Sequence, residues 1–497
     1  MCFFYYVSFL VRYGEMFYWG SDIVANTAYG MTLFAEVHRA GWTVPKPSDM
    51  LLFGAVYWIT RDLWFVHLVL ILATAMTVWV GCRLILKHSD SPIGCIAFCV
   101  LMMALPRMFR TTLEGGPGCT NVLFLLLAVL FADRVDQKRD RALAVVFLSL
   151  ANLTRPDSWP CTYLIVLLIF SPRFFDRNRR KWNRSDLWFL LPLGMPLVWV
   201  LLDWVVFGDA LYSMRIARTF ATEALIGMRV PKGAELNKVA AYFPRVQRAL
   251  FDLFSVSSWF SIRAAVLVIL FVAGIGAMVS EQPRTLLLIA CPLLGTLLFY
   301  FVYALLGTLF RLDYVYSVLV CVALIVSVGL ARPCGLVRPV RPLWFRLSIQ
   351  AGLVCAVLLF LTVGPVQRKI AGEAIPVLKG RAVLSRITAS AIESLVADVK
   401  RTAGATMILT TQWMPPSRIS LKLTTGKDVY LIERLMAKQQ LGQKDVLPDL
   451  EGKTVYFCFR KRMSGPVMHF LQPLVSQSHR REEIYDQNGL VVLKCFY

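Results

Sequence analysis

Charge is what this sequence has least of. Asp, Glu, Lys and Arg make up 17% of its 497 residues, where soluble globular chains carry about a quarter. In a chain that is 57% hydrophobic, that shortage excludes an ordinary soluble enzyme. Acids are scarcer than bases, 31 against 53, for a net charge of +22. A basic excess of that size suits nucleic acid only where it forms a patch. Here the basic residues fall in short loops between apolar runs, so nucleic acid is not expected as a partner. The five histidines are scattered and the 12 cysteines include no CxxC pair, so no zinc site is expected. There is no internal repeat and no low-complexity segment. Residues 1–11 are apolar but carry no basic n-region and no small-residue cleavage site, which argues against a signal peptide.

What the sequence does have is long apolar runs. Residues 63–86, 187–207, 286–309 and 347–363 are nearly uninterrupted, each close to the ~20 residues a helix needs to cross a bilayer. Runs at 1–17, 63–87, 92–106, 120–133, 141–154, 159–172, 187–207, 260–280, 284–309, 313–331 and 346–365 predict about 11 transmembrane helices. With the loop at Asp22 placed outside, Lys87, the loop 281–284 and the basic clusters at 134–141, 173–184 and 332–346 all fall inside. That is the bias expected of cytoplasmic loops. The outer side then holds the loop 18–62, a Gly-rich turn at 114–118, a Leu-Thr-Arg-Pro-Asp turn at 153–157, the long loop 208–259 and the turn 310–314.

The expected fold is therefore mainly α: a polytopic helical membrane bundle over 1–365, with a small α/β domain over 366–497 outside the cytoplasm. The tail supports this with a helical pattern at 375–403 and strand-like runs at 406–411, 454–459 and 490–495. Cys458 and Cys495 lie in two of these runs. They form either a disulfide, if the region is exported, or two buried thiols.

Candidate chemistry sits at the outer helix mouths. Tyr18-Trp19-Gly20-Ser21-Asp22 places a carboxylate just after the first apolar segment; an acid at a membrane surface points to a site, although Asp22 also suits a helix N-cap. The pattern at 27–37 suits a helix lying along the membrane surface, and 42–47 breaks it. In Thr154-Arg155-Pro156-Asp157 an arginine at the end of an apolar helix, fixed by the following proline, suits a phosphate at headgroup depth; snorkelling explains such an arginine as well. Phe207-Gly208-Asp209 leads to Arg215 and Arg218, basic residues on the outer side that ask for an anionic partner. Arg311 and Asp313 mark the next outer mouth; two residues apart on a helix, they do not face each other.

Taken in order, these segments resemble the GT-C fold glycosyltransferases, in particular the bacterial branch that includes the mycobacterial arabinofuranosyltransferases. Ser21-Asp22 with Tyr29 resembles the family's acidic first-loop motif. Leu113-Glu114-Gly115 through Phe124-Leu125-Leu126 is similar to its Gly-Leu-Glu turn into a Leu-rich helix. Asn152-Leu153-Thr154-Arg155-Pro156-Asp157 is similar to its Leu-Thr-Arg-Pro-Glu turn, the most specific match. Phe207-Gly208-Asp209 with Arg218 resembles its Phe-Gly-x-Pro-x-Pro-Asn segment ending in Lys. The chain departs from the pattern at Ser21, where the family often has a second acid, and at Ala210, Tyr212 and Ser213.

The resemblance implies inverting transfer of a sugar from a polyprenyl-phosphate donor to a glycan or lipid-linked acceptor, on the periplasmic face of a bacterial inner membrane. Asp22 is then the general base for the acceptor hydroxyl, and Arg155 and Arg218 stabilise the leaving phosphate. Ser21, Tyr29, Glu114, Asp157, Asp209, Arg215, Arg311 and Asp313 are candidate substrate-binding residues. A divalent cation is compatible with the site, and the sequence requires none. The alternative is a catalytically silent GT-C-like assembly or binding protein, which Ser21 and the altered loop after Gly208 favour. A transporter is disfavoured, because the charges cluster at helix mouths rather than mid-membrane.

Overall fold

The computed structural model describes residues 3–4, 6–7, 46–60, 63–87, 92–104, 112, 118–175, 184–214, 262–281, 283–305, 316–331, 352, 394–410, 427–432, 435–436, 449–460, 465–487 and 490–497. The expected surface helix at 27–37 lies outside these residues, as does the expected last span at 346–365 apart from residue 352.

The bundle contains α1 (Pro47–Thr60), α2 (Leu63–Leu86), α3 (Ile93–Ala104), α4 (Cys119–Ala132), α5 (Lys138–Thr154), α6 (Ser158–Phe175), α7 (Leu190–Phe207), α8 (Ile262–Glu281), α9 (Pro283–Leu305) and α10 (Tyr316–Ala331). A tight turn of helix at Arg184–Phe189 leads into α7. From α2 to α10 these elements follow the expected apolar runs within a few residues. Apart from α5, which opens on Lys138-Arg139-Asp140-Arg141, their composition is apolar on every face, as in a membrane span or the centre of a large core. Every residue of α10 is buried except Val322, so α10 is the central helix. Three spans among the described residues are long and apolar enough to cross a membrane, Trp64–Leu86, Ser185–Val205 and Pro283–Val302.

One helix was not expected. The stretch 47–60 lies in the expected loop 18–62, yet it forms α1. Pro47 opens it, a position where proline's missing N–H costs nothing, and the Met50 N–H reaches the Lys46 carbonyl at 2.8 Å. At 14 residues it is too short to span, and the Pro-Lys-Pro sequence before it reads as a break.

The two ends of the bundle differ in chemistry. At the basic end Lys87 Nζ meets Asp133 Oδ2 at 2.5 Å, and the Thr285 hydroxyl donates to Asp133 Oδ1 at 2.9 Å. These contacts tie α2, α4 and α9 together. Arg141 pairs with Asp186 at 3.2 Å, and Lys138 lies over the Trp188 ring. Among the described residues the far end carries hydroxyls, amides and a buried ion pair between Arg155 and Asp157.

The C-terminal region forms a five-stranded sheet in the order β2-β1-β3-β5-β4, from β1 (Thr406–Thr410), β2 (Asp428–Leu431), β3 (Thr454–Arg460), β4 (Arg480–Gln487) and β5 (Leu490–Phe496). The β1 pairings to β2 and β3 are parallel, and β5 pairs antiparallel with β3 and β4. Side chains alternate between two apolar layers. Ile408, Tyr456, Cys458 and Val492 pack on Leu395 and Val399 of the helical stretch 394–401. Met407, Leu409, Phe457 and Cys495 pack on Leu471 and Leu474 of α11 (Gly465–Ser476). Cys458 and Cys495 are both free and lie on opposite faces. A disulfide between them is excluded, and the buried-thiol alternative holds. Burial pushes the Cys458 thiol up to about 12, which leaves it inert as a nucleophile.

Candidate active site at the far end of the bundle

The turn between α5 and α6 organises the far end. Arg155 ends α5 in an extended conformation, its N–H still on the Ala151 carbonyl, as expected for a residue before proline. Pro156 and Asp157 turn the chain, and α6 starts at Ser158. The turn places Arg155 and Asp157 side by side: Arg155 Nε donates to Asp157 Oδ1 at 2.8 Å. Tyr300 of α9 closes the group. Arg155 Nη2 donates to the Tyr300 hydroxyl at 2.6 Å, and that hydroxyl donates to Asp157 Oδ2 at 3.1 Å. Arg155, Asp157 and Tyr300 are all 5% exposed or less.

This close approach of α9 to α6 depends on Gly295. A Cβ there would come within 2.6 Å of the Cys161 backbone nitrogen, so any side chain would push α9, and Tyr300 with it, away from the turn.

A second layer of polar contacts surrounds the triad. Ser158 donates to Asn121 Oδ1 at 2.5 Å, and Thr162 donates to Asn152 Oδ1 at 2.8 Å. The Thr296 and Ser317 hydroxyls are 3.0 Å apart. The start of α1 joins the same end: the Ser48 and Thr154 hydroxyls are 2.5 Å apart, and Thr120 donates to Asp49 Oδ1 at 2.8 Å. Lys46 and Asp49 are buried there. Polar groups this deep are stable only when hydrogen-bonded. The starts of α1, α4, α6 and α10 and the ends of α5 and α9 therefore all meet at one end of the bundle, as the expected alternation requires.

Chemically, the triad is a guanidinium with a fixed orientation. A guanidinium carries five N–H donors, of which Nε and Nη2 hold the protein partners above. An ion pair buried this deeply is sensitive to the loss of either member.

Of the residues singled out from the sequence, the structure brings Arg155 and Asp157 together. Asp209 lies in the turn after α7, where its Oδ1 accepts the Leu211 N–H at 3.1 Å. Asp22, Ser21, Tyr29, Glu114, Arg215, Arg218, Arg311 and Asp313 lie outside the described residues. Among the described residues no group of three or more His, Cys, Asp or Glu side chains is placed to hold a metal ion. Sequence reasoning missed Tyr300, Lys46 and Asp49. Tyr300 sits in an aromatic-rich apolar run and gives no signal. Asp49 does give one, as an acid at the head of an apolar stretch.

No family model matches this chain, and no curated protein matches it. Solved structures do. ArnT from Cupriavidus metallidurans in the apo state superposes with a TM-score of 0.54 at 14% identity, covering 98% of this chain and 96% of that one. The same protein bound to undecaprenyl phosphate gives a TM-score of 0.58 at 12% identity, covering 98% of this chain and 97% of that one. At these identities the likeness establishes the fold: the chain has the architecture of ArnT, in agreement with the GT-C resemblance of its motifs.

Proposed function

We propose that the protein is a membrane glycosyltransferase that moves a sugar, with inversion, from a polyprenyl-phosphate donor to an acceptor hydroxyl at the far end of the bundle. The observation that carries this reading is the Arg155–Asp157–Tyr300 triad: a buried guanidinium with a fixed orientation at a helix mouth. It is supported by a fold matched over nearly the full chain by a protein solved with undecaprenyl phosphate bound.

In this reading Arg155 meets the donor phosphate and Arg218 adds a second cation. Because Asp157 and Tyr300 already hold Arg155, little side-chain freedom is lost when the anion docks. Asp22 takes the proton of the acceptor hydroxyl. The acceptor oxygen bonds to the anomeric carbon, the bond from that carbon to the phosphate oxygen breaks, and the phosphate leaves with the electron pair. Fixed cations stabilise the charge that develops there. Lys46, buried just before α1, adds positive charge to the same end, where Ser48 meets Thr154. The site belongs on the periplasmic face of a bacterial inner membrane, with 366–497 as an extracytoplasmic domain that helps bind the acceptor. A divalent cation remains compatible with this scheme.

The test is sugar transfer by purified protein in liposomes carrying a labelled polyprenyl-phosphate sugar. Asp22→Asn is expected to lower turnover by about a hundredfold with donor affinity little changed. Arg155→Ala is expected to weaken donor binding and turnover together. Undiminished turnover in Asp22→Asn removes the base from the scheme. A second reading, a catalytically silent binding or assembly protein, draws on the neutralisation of Arg155 by Asp157 at 2.8 Å. Wild-type protein that binds the donor lipid and transfers nothing would favour it.

A further inference from the structure

Asp203 is an acid in the least buried of the three described spans. Only 28% of the Ser185–Val205 span is buried, and Leu201, Trp204 and Val205 face outward. Yet Asp203 itself is 3% exposed. A carboxylate there is costly unless it is well bonded, and the returning chain supplies the bonds. Ser213 donates its backbone N–H to Asp203 Oδ2 at 2.8 Å and its hydroxyl to Oδ1 at 2.9 Å. The Trp199 indole N–H donates to the Ser213 oxygen at 3.0 Å, so that hydroxyl is held from both sides.

The segment between them is a built turn. Gly208 ends α7 at φ +70°, the left-handed conformation that favours glycine at a helix end, and its N–H returns to the Trp204 carbonyl at 2.8 Å. Asp209 caps the next turn through the Leu211 N–H, and helical backbone resumes at 212–214. Ending α7 at Gly208 needs no carboxylate five residues earlier. The acid serves the chain that comes back.

The same network reaches the α5–α6 turn. Trp199 meets Trp159 edge to face, 5.9 Å between centroids. The Trp159 indole donates to the Asn152 carbonyl at 3.1 Å, three residues before Arg155. Asn152 in turn donates to the Pro192 carbonyl at 2.8 Å, near the start of α7. Since Ser185 and Asp186 contact Arg141 at the basic end, α7 climbs alongside α5. Its last turns run beyond the level of the Arg155 turn, by roughly 1.5 Å per residue.

We propose that Asp203 is a positioning residue of the donor-phosphate site. Through Ser213 it holds the return turn 208–214 in register with the turn that carries Arg155. The proposal rests on the functional reading above and deepens it. Asp203 touches neither donor nor acceptor; it acts through Ser213.

The experiment uses full-length protein in detergent, with hydrogen exchange at the 208–214 segment as one readout and undecaprenyl phosphate binding as the other. Asp203→Ala and Ser213→Ala are each expected to speed exchange of the Ser213 amide at least tenfold and to weaken binding about tenfold. Ser213→Thr, which keeps both donors, is expected to match wild type in both readouts. Arg155→Ala should weaken binding and leave exchange at 208–214 unchanged, which separates contact from positioning. Faster exchange without weaker binding in Asp203→Ala and Ser213→Ala overturns the positioning role, as does unchanged exchange in both. Wild-type protein that binds no undecaprenyl phosphate overturns the functional reading itself, and this role with it.

Discussion

One hydroxyl joins the two charges of the triad: Tyr300 accepts from Arg155 and donates to Asp157. Tyr300→Phe keeps the ring and leaves Arg155 Nη2 and Asp157 Oδ2 each short of a partner. A buried group left unsatisfied costs about 1–3 kcal/mol, so a lower Tm is expected, together with sugar transfer reduced about tenfold. Asp157→Ala goes further and strands the guanidinium, which typically costs about 3–5 kcal/mol for a buried pair. Thermal unfolding in detergent, read beside the transfer assay, checks both. A Tyr300→Phe protein identical to wild type in Tm and rate would show that the hydroxyl holds nothing. Two of the three members of this triad are visible in the sequence. Arg155 and Asp157 flank a proline at a helix end, so their proximity follows from local geometry. Tyr300 is 145 residues from Arg155, and only the packing of α9 on α6 at Gly295 brings it there.

At the level of elements, what was legible follows from periodicity and from its absence. The apolar runs from 63 to 331 became helices at the expected places. In the tail, β1, β3 and β5 were legible because they are apolar strands inside the sheet. The edge strand β4 reads Arg480-Arg481-Glu482-Glu483-Ile484-Tyr485-Asp486-Gln487, and its charges hide it. Charged edges are how sheets avoid pairing with other chains. β2 is four residues long and opens on Asp428. α11 carries an internal proline, Pro473. The stretch 394–401 is fixed to the sheet by one polar cluster: Asp398 Oδ2 accepts from Lys494 Nζ at 2.8 Å and from the Tyr456 hydroxyl at 2.6 Å. Burial pushes the Asp398 carboxyl up, but hydrogen bonds from Lys494 and Tyr456 outweigh it and hold the carboxyl below its ordinary value. Burial works against the Lys494 ammonium, and the hydrogen bond to Asp398 raises it above its ordinary value. A depressed carboxyl contributes stability above its unfolded pKa, lost as pH falls through the folded one. A raised ammonium contributes stability below its unfolded pKa, lost as pH rises through the folded one. The contribution of this pair should therefore be level from about pH 4 to about pH 10 and decline on both sides. Lys494→Met should flatten both declines in a Tm-against-pH series; an unchanged series would mean the pair does not anchor the helix.

Across the whole molecule, charge sorts by end. Lys87, Lys138, Arg141 and Arg284 gather where α2 and α4 end and α5 and α9 begin. Arg155, Asp157 and Tyr300 gather at the opposite end. The alternation of basic loops was readable because it depends only on order along the chain and a bilayer's asymmetry. Asp22 is proposed as the base on the same grounds, as an acid in the first outer loop, and it lies outside the described residues. The topology makes a direct prediction. The proposed topology puts the basic loop at Arg179 in the cytoplasm and the tail at Lys427 on the opposite side. Arg179→Cys should resist an impermeant thiol reagent in intact cells and label after lysis. Lys427→Cys should label in intact cells, with the parent chain and its 12 cysteines as background. Most of the described native thiols are buried or half-buried in helices or sheet, so that background should be low. Labelling of Arg179→Cys in intact cells would invert the bundle. The triad would then face the cytoplasm, and an outward-facing transfer site would be ruled out whatever the chemistry of Arg155.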